Sequence, residues 1–314
     1  MPTDKENRAT QIKDSLTLNH VSGLGPLLLQ RLRMYFKTSE KILNATPHRL
    51  QQIPGIGAET ARRIAGARFE FRHQVEKEFS EALQMGFHFC LLDDPDFPVL
   101  LKEIFDPPLV LTIRGKLPQP VFPAIAIVGS RRASRYGLSQ ANHFARELAS
   151  SGIHIVSGLA RGVDAAAHRG ALDAGGSTLA VLGCGASITY PPEHETLSAQ
   201  IENSGAILSE FNLNSLPLPH HFPRRNRLIA GLAQAVLVIE AARKSGSLIT
   251  ARLACEYGRD IHVVPGPVDR SGSWGTGRLL RDGAVPVLTP EHVMEEIRPL
   301  LDSRESRNGL LANP

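Results

Sequence analysis

The sequence predicts an α/β protein: an extended Rossmann-like, doubly wound, mostly parallel sheet, preceded by a small all-α helix-hairpin-helix (SAM-like) domain. Three observations carry this prediction. From Ala124 onward, short apolar runs alternate with helical patterns, as expected of strands buried on both faces by crossover helices. From Leu16 to about Met85 the pattern is helical, with no run of alternating β-branched residues. Within that part, "VSGLGPLLLQRLRMYF" (21–36) and "IPGIGAETARRIAGAR" (53–68) repeat one design, a hydrophobic-Gly-hydrophobic-Gly turn leading into an amphipathic helix.

Residues 1–15 are polar and are expected to be disordered. Residues 16–85 form the helical domain. Its glycines permit tight turns, and the N–H groups of the following helix start can hold a phosphate, which makes Gly55 and Gly57 candidate contacts. The alternative is a plain helical hairpin used for packing or dimer contact. Residues 86–123 are a connector and the start of the α/β domain: a short strand "FHFCLL", then a stretch cut into turns by Asp-Pro and Pro-Pro pairs. The Rossmann-like domain runs over 124–301, with strands in "AIAIVGS", "IHIVSG", "STLAVLG", "AILSEF", "AVLVIEA", "DIHVVPG" and "VPVL". Helices are expected over 137–151, 162–174, 194–204, 225–234, 246–258 and 276–282, and a last one in "PEHVMEEIRPLL". Residues 302–314 read as a disordered tail.

Right-handed crossovers place the strand C-termini along one edge, where ligands bind. The loops there include Gly129-Ser130-Arg131, Ser157-Gly158, Arg161-Gly162, Gly183-Cys184-Gly185, Ser209-Glu210, Glu240-Ala241 and Pro265-Gly266. Residues 220–281 hold nine Arg and one Lys against four acids, while the whole chain of 314 residues is only +4. "FPRRNR" brings Arg224, Arg225, Asn226 and Arg227 to a loop-helix junction; "RKSGS" brings Arg243, Lys244, Ser245, Gly246 and Ser247 to another. Gly and Ser ahead of a helix expose donors, and Arg supplies charge, so this edge is suited to anions. Phe222, Tyr136, Tyr190, His220 and His221 are candidates for stacking on bases. In the opening strand-turn "AIAIVGSRRASRYG", Arg131 is the favoured ligand, and Arg132 and Arg135 read as solvated neighbours.

Other chemistry is poorly served. The first strand-helix turn lacks Gly-x-Gly-x-x-Gly and the second strand ends without an acid, so NAD and FAD are not expected. No P-loop motif occurs. Cys90, Cys184 and Cys255 are far apart, with no zinc spacing and no disulfide framework. Asp164 and His168 share a helix face but lack a third ligand; the structural reading, helix start and buried support, is favoured. Glu210 and Glu240 are read as ending adjacent strands, either as paired carboxylates or as loop anchors. With no signal peptide and no apolar run of about 20 residues, the expected location is cytoplasmic.

These motifs, in order, resemble the DprA family of natural transformation: "IVGSRRASRYG", "IVSGLARGVDAAAHRGAL", "VLGCG", "YPPEHETL", "HHFPRRNRLIAGL", "EAARKSGSLITARLACEYGRDIHVVPGPV" and "LLRDGA". The resemblance runs from about Leu16 to Leu300. It implies a protein that is not an enzyme, and with the missing motifs above no cofactor or metal is expected. It also implies a protein that binds single-stranded DNA without sequence preference, protects incoming strands, loads RecA onto them, and forms a homodimer through the Rossmann domain. By motif, it assigns DNA contact to Gly129, Ser130, Arg131, Arg161, Arg225, Asn226 and Arg227. "KSGSLIT" (Lys244, Ser245, Gly246, Ser247) would line the same edge, with Ser157, Gly158 and Phe222 beside it. The chain departs from the family at His194, where Asn is usual, and at Gly277, where Asn or His is usual. It also ends before the C-terminal winged-helix-like domain of many members. The rival class is a nucleoside-monophosphate phosphoribohydrolase, but the expected "PGGxGT" loop is replaced by "KSGSLIT".

Overall fold

A computed structural model describes residues 4–119 and 121–299. The helical part comprises α1 (Asp4–His20), α2 (Pro26–Phe36), α3 (Ser39–Leu43), α4 (Pro47–Leu50), α5 (Ala58–Glu70) and α6 (Arg72–Gln84). Helix α1 corrects the expectation of disorder over residues 4–15; residues 1–3 lie outside the described residues. Lys5 and Glu6 face solvent and the buried Asp14 pairs with Arg68 at 2.8 Å, while Ile12 and Leu16 pack with Val75, Ala82 and Phe89, and Arg8 makes a two-pronged ion pair with Asp94. A four-residue apolar spacing in a polar sequence is a buried stripe, and that stripe needs a partner surface before it means anything.

The two Gly-rich hairpins make matching contacts with each other. Arg31 of α2 donates to the Pro54 carbonyl at 2.8 Å, and the equivalent Arg63 of α5 donates to the Ser22 carbonyl at 3.4 Å. Gly23 and Gly55 both take positive φ, +82° and +92°.

The chain continues through β1 (His88–Leu91), α7 (Val99–Lys102), β2 (Val110–Gly115), β3 (Ala124–Val128), α8 (Arg135–Ser150), β4 (His154–Ser157), α9 (Val163–Asp173) and β5 (Thr178–Val181). Then follow α10 (Glu195–Ser204), β6 (Ala206–Ser209), α11 (His221–Gly231), β7 (Ala235–Val238), α12 (Ser247–Glu256), β8 (Asp260–Val263), α13 (Trp274–Arg281) and β9 (Val285–Pro286). A last helix, α14, covers 290–299; the end expected for it, and the tail over 302–314, lie outside the described residues.

The nine strands among the described residues form one sheet in the order β1-β2-β6-β5-β4-β3-β7-β8-β9. The pairs β1–β2 and β2–β6 are antiparallel, and the others are parallel. The connector therefore contributes two strands to the sheet. Strand β2 is missing from the sequence reading because Pro107-Pro108 directly before it marks a turn.

Alternate residues of each central strand enter opposite cores. Ala124, Ala126 and Val128 pack under α11 and α12 with Leu228, Ile229, Ala251 and Ala254. Ile125 and Ile127 pack under α8, α9 and α14 with Phe144, Leu148, Ala167 and Val293. This two-faced covering is the doubly wound architecture that the apolar strands predict. From β3 the chain winds outward through β4, β5 and β6, then returns to place β7 on the other side of β3. The switch point between β3 and β7 opens a crevice at the strand C-termini.

The same order corrects the pairing of Glu210 with Glu240. They follow β6 and β7, which are separated by β5, β4 and β3, or about 19 Å at the usual strand spacing.

Candidate anion-binding groove

A groove of about 1460 Å³ lies over the switch point. Its floor is the join between the β3 and β7 ends, where the Ser130 N–H donates to the Glu240 carbonyl at 2.7 Å. A Cβ at Gly129 would sit 2.6 Å from a Val163 methyl, so the glycine lets α9 start against the floor. Glu240 lines the groove with its carboxylate engaged: it accepts from the Ser134 hydroxyl at 2.6 Å and from the Ser134 N–H at 3.2 Å. It thus pins the start of α8, as the loop-anchor alternative has it.

Of the residues singled out by sequence, Gly129, Ser130, Arg131, Phe222, Arg225, Asn226, Lys244, Ser245, Gly246 and Ser247 line this groove. Gly158 and Arg161 line a small adjoining recess that Arg131 and Phe222 share. Arg131 is exposed, and its guanidinium carbon sits 4.9 Å from the centre of the Phe222 ring, a cation–π arrangement that leaves its donors free. Tyr190 backs the same ring at 5.6 Å. Arg161 is ion-paired with Glu193, both largely exposed.

The "RRNR" run is split by helical geometry. Helix α11 begins at His221, not at 225, because Pro223 is tolerated in a first turn. Residues four apart then share a face, so Phe222 and Asn226 meet the groove. Asn226 bonds the Gly246 carbonyl at 3.3 Å and so fixes the 244–247 loop. Arg225 is buried, donating to the carbonyls of Gly158 (2.7 Å) and Val181. Burial pulls its pKa down to about 10, opposed by the nearby Asp164; it is a fixed cation beneath the groove, not a mobile ligand.

Two assigned residues lie outside the groove. Arg227, 4% exposed, points to the opposite side of α11, where it pairs with Glu210 and donates to the Asp106 carbonyl at 2.6 Å. Ser157 is fully buried and donates to the Ile127 carbonyl at 2.6 Å. Arg227→Ala should therefore destabilise the fold by about 3 kcal/mol, the cost of stranding a buried partner, while leaving the salt dependence of anion binding unchanged; urea melts and binding titrations check both. Gly55 and Gly57 belong to the hairpins of the helical domain, away from the groove lining. His221 turns inward to stack on Phe211 at 4.2 Å.

Arg132 and Arg135, expected as solvated neighbours, and Arg270, not singled out by sequence, also line the groove, beside the stacking candidate Tyr136, whose hydroxyl is tied to the Pro265 carbonyl at 3.0 Å. The signal was available in the spacing: Arg132 and Arg135 flank the loop that caps α8, and a helix start at the switch point faces the crevice.

Asp164 and His168 hold the 157–162 loop. Asp164 accepts the Gly158 N–H at 3.1 Å and the Ala160 N–H at 3.4 Å. Thr178 gives its own proton to the Ile155 carbonyl, so His168 Nδ1–H donates to Thr178 Oγ1 at 2.7 Å. The opposite nitrogen then accepts the Leu159 N–H at 3.3 Å. His194 completes the tie by donating from Nδ1 to the Leu159 carbonyl at 2.9 Å. Among the described residues no group of three or more His, Cys, Asp or Glu is placed to hold a metal ion.

This bonding requires neutral His168, and burial lowers its pKa to about 3. The unfolded chain takes up that proton first, so stability present above pH 6.5 is lost as pH falls toward 3, by at most about 1.4 kcal/mol per pH unit. His154 and His262, also lowered by burial, act in the same direction. Thermal melts at pH 7 and pH 5 should show the loss, with a smaller loss in His168→Gln.

Comparison with known proteins gives the groove its context. Residues 88–298 match the family DNA recombination-mediator protein A, and residues 15–66 match the SAM-like helix-hairpin-helix tandem. Protein Smf of Synechocystis sp. is 39% identical over 94% of this chain and 75% of its own length. The X-ray structure of DNA processing protein A (DprA) from Streptococcus pneumoniae superposes with a TM-score of 0.79. It is 33% identical and covers 90% of this chain and 97% of that one. A structure of DNA processing protein A from Helicobacter pylori, concerned with its single-stranded DNA binding mode, is 32% identical with a TM-score of 0.60. It covers 68% of this chain and 97% of that one. By profile, identity and fold, the chain belongs to the DNA recombination-mediator protein A (DprA/Smf) family.

Proposed function

We propose that the groove binds single-stranded DNA without sequence preference, and that the protein, as a homodimer, protects incoming strands in the cytoplasm and passes them to RecA. The observation that supports the binding reading is the groove's pairing of free cations with aromatic faces. Arg131, Arg132, Arg135, Lys244 and Arg270 line it and make no ion pair among the described residues, with Phe222, Tyr136 and Tyr190 between them. Guanidiniums track phosphates, while aromatic faces accept any base. The single-stranded DNA binding mode studied in the Helicobacter pylori relative favours the same ligand.

The recess and the groove together cross the ends of β5, β4, β3, β7 and β8. That is about 19 Å, room for about four nucleotides, the short end of single-strand site sizes. A nucleotide-cleaving reading needs a free acid beside the phosphate loop, whereas Glu240 is bonded to Ser134 and Glu210 to Arg224 and Arg227. Mobility shift with oligo-dT and with duplex at two salt concentrations tests the proposal; preference for duplex overturns it. RecA transfer and dimerisation rest on family membership, and are checked by RecA filament formation on coated oligonucleotide and by sedimentation.

A further inference from the structure

The loop between β6 and α11 touches both the helical domain and the groove wall. On one side, Glu78 of α6, 6% exposed, accepts the Leu213 N–H at 2.7 Å and bonds His20 Nε2 at 2.7 Å. His20 in turn accepts from the Asn212 amide at 3.1 Å and stacks on Phe71. Asn19 donates to the Glu210 carbonyl at 3.2 Å, and Glu81 accepts from Asn214 at 3.1 Å. Four side chains of the helical domain therefore grip Glu210, Asn212, Leu213 and Asn214.

On its other side the same loop holds α11. Phe211, 6% exposed, is stacked on His221 at 4.2 Å and lies beneath the Arg224 guanidinium at 5.1 Å. The Glu210 carboxylate accepts from Arg224 at 3.2 Å and pairs with Arg227. His221 and Arg224 flank Phe222, and Arg225 follows at once, so what fixes Phe211 fixes the groove's aromatic wall. The turn at 185–187 also supports the loop, through Ser187 to the Leu213 carbonyl at 2.7 Å.

We infer that the helical domain is a positioning element of the groove: Glu78, through His20 and the 210–214 loop, sets where α11 presents Phe222 and Asn226. This rests on the single-strand reading for its functional consequence, but not for its structural one. A contiguous set of bonds and packed rings is the physical route by which a residue that never touches the ligand changes its affinity.

The full chain with Glu78→Ala tests it, read by hydrogen exchange over 221–226 and by titration with oligo-dT. Exchange over 221–226 should rise in the free protein, and affinity should fall about fivefold, within the range such networks carry. The log–log salt slope should stay unchanged, because no phosphate contact is removed. Glu78→Gln should restore both readouts. Its amide oxygen still accepts the Leu213 N–H, and its amide nitrogen drives the His20 proton to Nδ1, which the Asn212 amide accommodates by turning over, so that its oxygen, now buried without a partner, accepts in place of the nitrogen that donates to Nδ1. If Glu78→Ala does not fold, Asn19→Ala, which removes one bond, should show the same changes at about twofold. Unchanged exchange, or unchanged affinity where exchange rises, overturns the inference. Wild-type protein that ignores oligo-dT defeats the single-strand reading instead, and the exchange measurement still decides the positioning of α11.

Discussion

Replacing Arg131 and Arg161 together by alanine should lower affinity for oligo-dT about tenfold or more and reduce the log–log salt slope by about 0.7 for each lost phosphate contact. The structure makes the two contributions unequal. Arg131 is poised over Phe222 with no ion-pair partner among the described residues, so it is ready for a phosphate while its guanidinium lies over the ring. Arg161 must first leave Glu193, a surface pair of small net strength. Most of the loss should therefore follow Arg131→Ala alone. Fluorescence titrations of both single variants and the double variant, at two salt concentrations, measure it; wild-type binding by the double variant removes the groove as the site.

Gly162→Ala should be the most damaging single-methyl change, costing about 3–5 kcal/mol. Gly162 sits at φ +77° and ψ −126° just ahead of α9, where L side chains are strained. An added Cβ would also strike the Ser130 carbonyl and approach the Arg131 carbonyl carbon to 2.9 Å. These are backbone atoms of the groove floor, which cannot swing aside. Gly277→Ala is the control: this glycine lies inside α13 with nothing within 4 Å of the added methyl. It should stabilise by about 0.5–1 kcal/mol through helix propensity and a less disordered unfolded chain. Urea denaturation of both variants tests the contrast. It also bears on the departure at position 277, which changes an open helix surface and not the groove lining.

Much of the architecture was legible in the chain because strands buried on two faces are apolar throughout. That is why "AIAIV" and "AVLVIEA" announce central parallel strands with no ambiguity of period. The N-terminal helix and β2 were not legible. The apolar residues of α1 are too few to mark a helix until Val75 and Phe89 are placed beside them, and β2 follows two prolines. Strand order was equally hidden, since a sequence orders strands in time and not across a sheet. Glu210 and Glu240 look adjacent only in that linear sense.

For the candidate site, the residue types that gather at the strand ends were fixed by sequence alone: glycines where backbone approaches backbone, arginines and small hydroxyls where helices begin. Local spacing dictates those choices, because a loop-to-helix turn exposes its N–H groups wherever it sits. What each arginine does was decided only by tertiary structure. One turn of α11 sends Arg225 beneath the floor and Arg227 to Glu210, while Arg132, Arg135 and Arg270, remote from one another in part, meet on one rim. A charge acquires its role from the partner within reach, and reach is set by the packing of α11, the 210–214 loop and the helical domain against the sheet.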